Sequence, residues 1–132
     1  MRFEVENKPA IDGVTEKQIR SAIAKLRSYG PSSFASITSS DGNYLQVGGG
    51  GITCTLERRD AATGRHFRAH SLQPNRVHPD GTILAFGRGQ EIRLMSDEWL
   101  TANLIAEAFC NFLKQEPLPD VVAWREITGL VS

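Results

Sequence analysis

The stretch SFASITSSDGNYLQVGGGGITCTLERRDAATGRHFRAHSL, residues 33–72, decides the fold. Turn clusters cut it into strand-like runs. Ser40, Asp41, Gly42 and Asn43 form one cluster, the glycines at 48–51 a second, and Ala61, Ala62, Thr63 and Gly64 a third. Between them lie runs at 34–39, 44–47, 52–59 and 65–72. In the third run Ile52, Cys54 and Leu56 alternate with Thr53, Thr55 and Glu57, the two-residue period of a half-buried strand. Turns this short leave no room for the crossover that parallel neighbours need. The predicted arrangement is an antiparallel meander.

Upstream, the period changes to that of a helix. Thr15 and Gln18 make a capping box, with Val14 and Ile19 placed as its hydrophobic staple. Ile19, Ala22, Ile23 and Leu26 then share one face, which Tyr29 is expected to continue before Gly30 and Pro31 stop the helix. Lys17, Arg20 and Arg27 fall on the opposite, solvated side. Downstream, a polar loop at 73–81 carries Pro74, Pro79 and Gly81, and short strands are predicted at 82–86 and 91–95. A second helix is predicted over 97–114, with Asp97 and Glu98 complementing its positive end. Its residues Leu100, Leu104, Ile105, Ala108, Phe109 and Phe112 cover more than one stripe. Asn103, Glu107, Cys110 and Lys114 form a narrow polar edge. Beyond Pro117 and Pro119, Trp124 is expected to fold back as an anchor on the core. Together these elements predict one α+β domain over residues 1–132. Its antiparallel meander sheet should have about five to six strands, with both helices packed largely on one face.

Charge and length bound the function. The chain has 132 residues, 15 basic and 15 acidic, and hence no formal net charge. Counterion release supplies most nonspecific affinity for nucleic acid, so a dedicated binder of that kind would be clearly basic. No run approaches the roughly 20 apolar residues of a membrane-spanning helix. The alternating, acidic start, Met1 to Glu6, is unlike a signal peptide. Cys54 sits in an apolar run and Cys110 in a helix, which suits reduced thiols better than a disulfide. A cytoplasmic protein with no direct contact to nucleic acid or membrane is expected.

Recognisable chemistry is scarce. The four glycines lead into a strand, whereas phosphate-binding and dinucleotide-binding loops open a helix. A hairpin connection or bulge is the expectation. His66 and His70 lie four residues apart on a predicted strand, about 13 Å at the usual rise, and Arg68 stands between them. That spacing cannot hold one ion, and His78 is isolated in a loop. Glu57 and Asp60 flank arginines, an arrangement suited to surface ion pairs rather than to a raised carboxyl pKa. No catalytic, cofactor-binding or metal-binding residue is assigned, and none of the hallmarks of an enzyme is seen.

What stands out is a polar strand face. Thr53, Thr55, Glu57 and Arg59 point one way on their strand, and His66, Arg68 and His70 line one side of the next. Such a face is either solvated or a surface for a protein partner, in which mixed charges set specificity. Asn43, Tyr44, Glu57, Arg59, Asp60, Arg68 and His70 are the candidate contacts, with Tyr44 as the large amphipathic anchor.

Three segments in order carry a family resemblance. They are the hairpin segment at 44–51, the helix at 102–113 containing Glu107, Ala108, Phe109 and Phe112, and the ending at 118–124, where Pro119 precedes Trp124. In these the chain resembles the small immunity proteins of bacterial polymorphic and contact-delivered toxin systems. The resemblance implies a cytoplasmic, non-enzymatic protein. It would bind one cognate toxin domain, such as a nuclease or nucleic-acid deaminase, and block its active site. The zero net charge sets the chain apart from inhibitors that mimic substrate phosphate. A non-catalytic binding or regulatory module of a bacterial cytosolic complex is the alternative expectation.

Overall fold

A computed structural model describes residues 1–73 and 77–130; Pro74, within the predicted polar loop, lies outside the described residues. In chain order the elements are β1 (Arg2–Val5), β2 (Ile11–Asp12), α1 (Glu16–Lys25), β3 (Phe34–Thr38), β4 (Tyr44–Gly50), β5 (Thr53–Asp60) and β6 (Arg65–Ser71). There follow β7 (Thr82–Phe86), β8 (Gln90–Leu94), a 3-10 turn (Ser96–Glu98), α2 (Ala102–Leu113), β9 (Val122–Glu126) and a final 3-10 turn (Thr128–Leu130). The fold is α+β, as the sequence predicts, with an antiparallel meander at its centre.

The described strands form two sheets rather than one. The larger has seven strands in the order β2-β1-β3-β4-β5-β6-β9, and β7 pairs with β8 apart from it. Strands β1, β2 and β9, which the turn signals do not announce, extend the meander at both edges. The predicted strands at 82–86 and 91–95 instead make a separate hairpin. This hairpin lies across one face of the large sheet, while α1 and α2 cover the other. The molecule therefore has three layers.

The helix-bearing side holds the main core. Phe3, Ile37, Leu45, Val47 and Leu56 from the sheet meet Ile19, Ile23, Ile105 and Phe109 from the helices. Phe3 and Phe109 pack edge to face with ring centroids 6.2 Å apart, a favoured aromatic geometry. Trp124 packs against this cluster from β9, as expected of an anchor. On the opposite face Leu84, Phe86, Leu94 and Trp99 form a second, smaller core with Phe34 and Ile92.

The first helix keeps its predicted start and loses its predicted end. The Thr15 side chain accepts from the Gln18 amide, and the Gln18 side chain accepts from the Thr15 amide at 2.9 Å. At Leu26 the backbone becomes extended, so the helical period stops one turn early. Tyr29 is consequently 85% exposed rather than buried, and Gly30 stands in a turn closed onto Arg27. Arg27 is not simply solvated. Its guanidinium donates to the Ala24 and Leu26 carbonyls, complementing the negative end of the helix.

The second helix begins at Ala102, not near Asp97. Leu100 is drawn into a bridge with Cys54 of β5, exchanging both backbone hydrogen bonds, and an extended segment cannot also be helical. Ala102 N then donates to the Gly51 carbonyl at 2.7 Å. Cys110, assigned by spacing to the polar edge, is fully buried beside α1, with Asn103, Glu107 and Lys114 remaining exposed. The packing of one helix on the other hides it.

The glycines at 48–50 belong to β4 rather than to a connecting loop. Their role is close approach. A Cβ at Gly48 would stand 2.8 Å from the Phe86 ring, and one at Gly50 would stand 2.1 Å from the Leu26 carbonyl oxygen. The strand is thin where the hairpin lies on one face and the end of α1 on the other. A side chain at either position would hold a layer away.

Candidate polar sheet face

Directly paired residues on neighbouring strands share a face, so the registers lay out the side opposite the helices row by row. One row runs Arg2, Thr38, Tyr44, Arg59, His66 across β1, β3, β4, β5 and β6. The next runs Glu4, Ser36, Gln46, Glu57, Arg68 and on to Arg125 of β9. A third contains Phe34, Gly48 and Thr55. The predicted common face for Thr55, Glu57, Arg59, His66 and Arg68 is therefore observed. Its solvation is not uniform.

The third row is closed over. Phe86 packs against Phe34 with centroids 6.3 Å apart, and Thr55 is buried. Part of the second row is covered by the 3-10 turn. Glu98, 1% exposed, lies between two arginines, accepting from Arg125 at 2.8 Å and facing Arg68 Nη1 at 3.6 Å. It also accepts from the Met95 amide at 2.7 Å. Arg68, itself buried, donates through Nε and Nη2 to Glu57 at 3.0 and 2.9 Å. Asp97 takes a two-pronged contact from Arg125 at 3.2 and 3.0 Å and stands 3.5 Å from His70 Nδ1. Glu57, Arg68 and His70 are thus brought together, but as the ion-paired bed on which residues 96–98 rest. Glu57 pairs across the strand with Arg68, not with the arginines beside it in sequence.

This bed sets an acid sensitivity. The hydrogen bonds from Arg125 hold the Asp97 carboxyl below its ordinary value of 3.8. A depressed carboxyl contributes its full stabilisation above the ordinary value and loses it as pH falls through the folded value beneath. Asp97→Asn should therefore lower the urea midpoint at neutral pH. The gap to the parent should be narrower at about pH 3 than at neutral pH, because below the ordinary value of 3.8 protonation begins to favour the unfolded chain. A gap of equal size at both pH values would contradict this role.

The first row keeps partial access to solvent, with Tyr44, Arg59 and His66 half-buried. Tyr44 and His66 approach edge to face at 6.2 Å, with Arg59 between them in register. Burial pushes the Tyr44 phenol up, an effect the Arg59 charge partly offsets. Among the described residues the Arg59 guanidinium has no carboxylate partner in the salt bridges of this face, which use Arg68 and Arg125. At the row's end, Asn43 Oδ1 accepts from the Ala61 amide at 2.7 Å, and Asp60 accepts from Ala62 N and Thr63 Oγ1. Asn43 and Asp60 thereby fix the two turns that frame Tyr44 and Arg59. His66, which the spacing marks only as a neighbour of Arg68, joins the candidate contacts.

Other reactive groups are committed elsewhere. Burial pushes the Cys54 thiol up to about 12 and raises that of Cys110, so neither is a thiolate at neutral pH. His78 is not isolated; its ring stacks on Trp99 at 4.0 Å. The described residues contain no cluster of three or more histidine, cysteine or acidic side chains arranged to hold a metal ion. Among them no helix is long and apolar enough to cross a membrane. No family model matches the chain, and no curated protein matches its sequence.

Proposed function

We propose that the chain is an immunity protein that binds a cognate bacterial toxin domain through the first row of its polar sheet face. Tyr44, Arg59 and His66 make the contact, framed by Asn43 and Asp60. The observation that carries this reading is a guanidinium without a carboxylate partner among the described residues, flanked by two aromatic rings across three paired strands. Tyrosine and arginine dominate the energetics of protein interfaces, and a partner carboxylate would complete the unpaired Arg59. Inhibition follows by occlusion of the toxin's active site, in the cytoplasm, with no chemistry performed by this chain.

The test is co-purification with a toxin domain encoded beside its gene, followed by measured affinity and growth protection. Tyr44→Ala and Arg59→Glu should each weaken binding by about 2 kcal/mol or more. Their circular dichroism should match the parent, since neither side chain holds the fold. Unchanged affinity in both variants would show that another surface is used. Failure of the parent to bind any such domain, alongside stable association with a constitutive cellular partner, would replace immunity by a regulatory role.

A further inference from the structure

We infer that the groove between α1 and the β1–β2 hairpin is a binding site for a small anionic amphiphile. The groove lies on the helix-bearing side, away from the Tyr44 row, and stands independently of the proposed toxin contact. It encloses about 640 Å³, within the range of small-molecule pockets, about 300–1,000 Å³. Its floor is apolar, built from Phe3, Val5, Ile11 and Ala22. Around it stand Lys8, Lys17 and Lys25, all exposed, and among the described residues no acidic side chain contributes to the lining. In a chain with no net charge, three ammonium groups above one apolar floor are a local excess.

The nearby carboxylates do not neutralise that excess. Asp12 pairs with Arg2, Glu16 with Arg20 and Lys114, and Glu6 accepts from the Ser33 amide and hydroxyl. The walls are fixed as well. The capping box holds the start of α1, and Ser32 Oγ donates to the Glu6 carbonyl at 2.8 Å.

The lining selects the ligand's chemistry. The apolar floor takes an aliphatic chain, and the lysines take an anionic head. A nucleotide base finds no open ring to stack on, since Phe3 is 1% exposed. Carboxylate and phosphate heads suit lysine equally, and the assay separates them.

Titration with dodecanoate, dodecyl phosphate, dodecan-1-ol and dodecyltrimethylammonium, each below its micelle concentration, tests the site by amide chemical shifts. Both anions, or one of them, should shift Val5, Ile11 and Ala22, the tighter of the two naming the head group. The alcohol should bind about tenfold more weakly and the cation more weakly still. Replacing Lys8, Lys17 and Lys25 together by glutamine should weaken the anion by about tenfold at an unchanged melting temperature. If that variant is unstable, Lys25→Glu alone should weaken the anion and not the alcohol. Equal affinity for anion and cation, shifts confined to other residues, or full affinity in the lysine variants would overturn the site.

Discussion

Gly50→Ala is expected to destabilise the protein by about 3 kcal/mol or more, the cost of forcing a methyl into a packed contact that cannot yield. The added carbon would lie 2.1 Å from the Leu26 carbonyl oxygen, 2.3 Å from its carbon and 2.7 Å from Arg27 N. These atoms are backbone, and the Arg27 guanidinium and the Ser32 carbonyl further fix them. Relief therefore requires moving the end of α1 off the sheet. At Gly48 the obstacle is the edge of the Phe86 ring, a side chain that can shift, so Gly48→Ala should cost less. Urea denaturation of both variants decides the matter. A Gly50→Ala protein as stable as the parent would mean that α1 does not rest on β4.

Phe109→Ala should remove about 3–5 kcal/mol, the usual range for deleting a buried phenyl ring and leaving a cavity. Phe109 is fully buried and edge-packed on Phe3, so the void opens between helix and sheet, where neither can collapse inward. Leu104 is only half-buried, and Leu104→Ala should cost less than Phe109→Ala. The comparison by chemical denaturation is direct. Equal losses at the two positions would misplace the buried face of α2.

What the sequence reveals follows the range of the forces involved. The Thr15–Gln18 capping box is a local hydrogen-bond pattern, and it is legible in four consecutive residues. The meander is legible because β3, β5 and β6 alternate, and turn residues separate them. Gly48, Gly49 and Gly50 have no side chains with which to display a strand period, so β4 reads as ending early at Val47. The ends of both helices are decided from afar. Leu26 is held against β4, and Leu100 is captured by Cys54 some 46 residues earlier in the chain.

The candidate site divides in the same way. That Arg59, His66, Glu57 and Arg68 share a face follows from strand parity alone. That Glu57 and Arg68 are occupied does not, because the acids that complete their network come from residues 97–98. In sequence Asp97 and Glu98 look like helix-start residues favoured by the dipole. In the fold they serve arginines on β6 and β9, and the arginines' demand for a buried counter-charge prevails over a weak terminal preference. Tyr44 and Arg59 remain at the surface for the opposite reason, since the covering layer ends before it reaches them.

The position of β9 bears on how the protein is made. Synthesis proceeds from the N-terminus, and β6 emerges some 50 residues before the strand that covers its outer edge. A nascent chain halted after α2 already contains both helices and most of the larger sheet. Along β6, however, the main-chain groups that bond to β9 have no partner strand to meet. Open strand edges of this kind invite pairing with other chains. The interval between translation of β6 and arrival of β9 is the period in which neighbouring copies on one messenger can most readily join edge to edge.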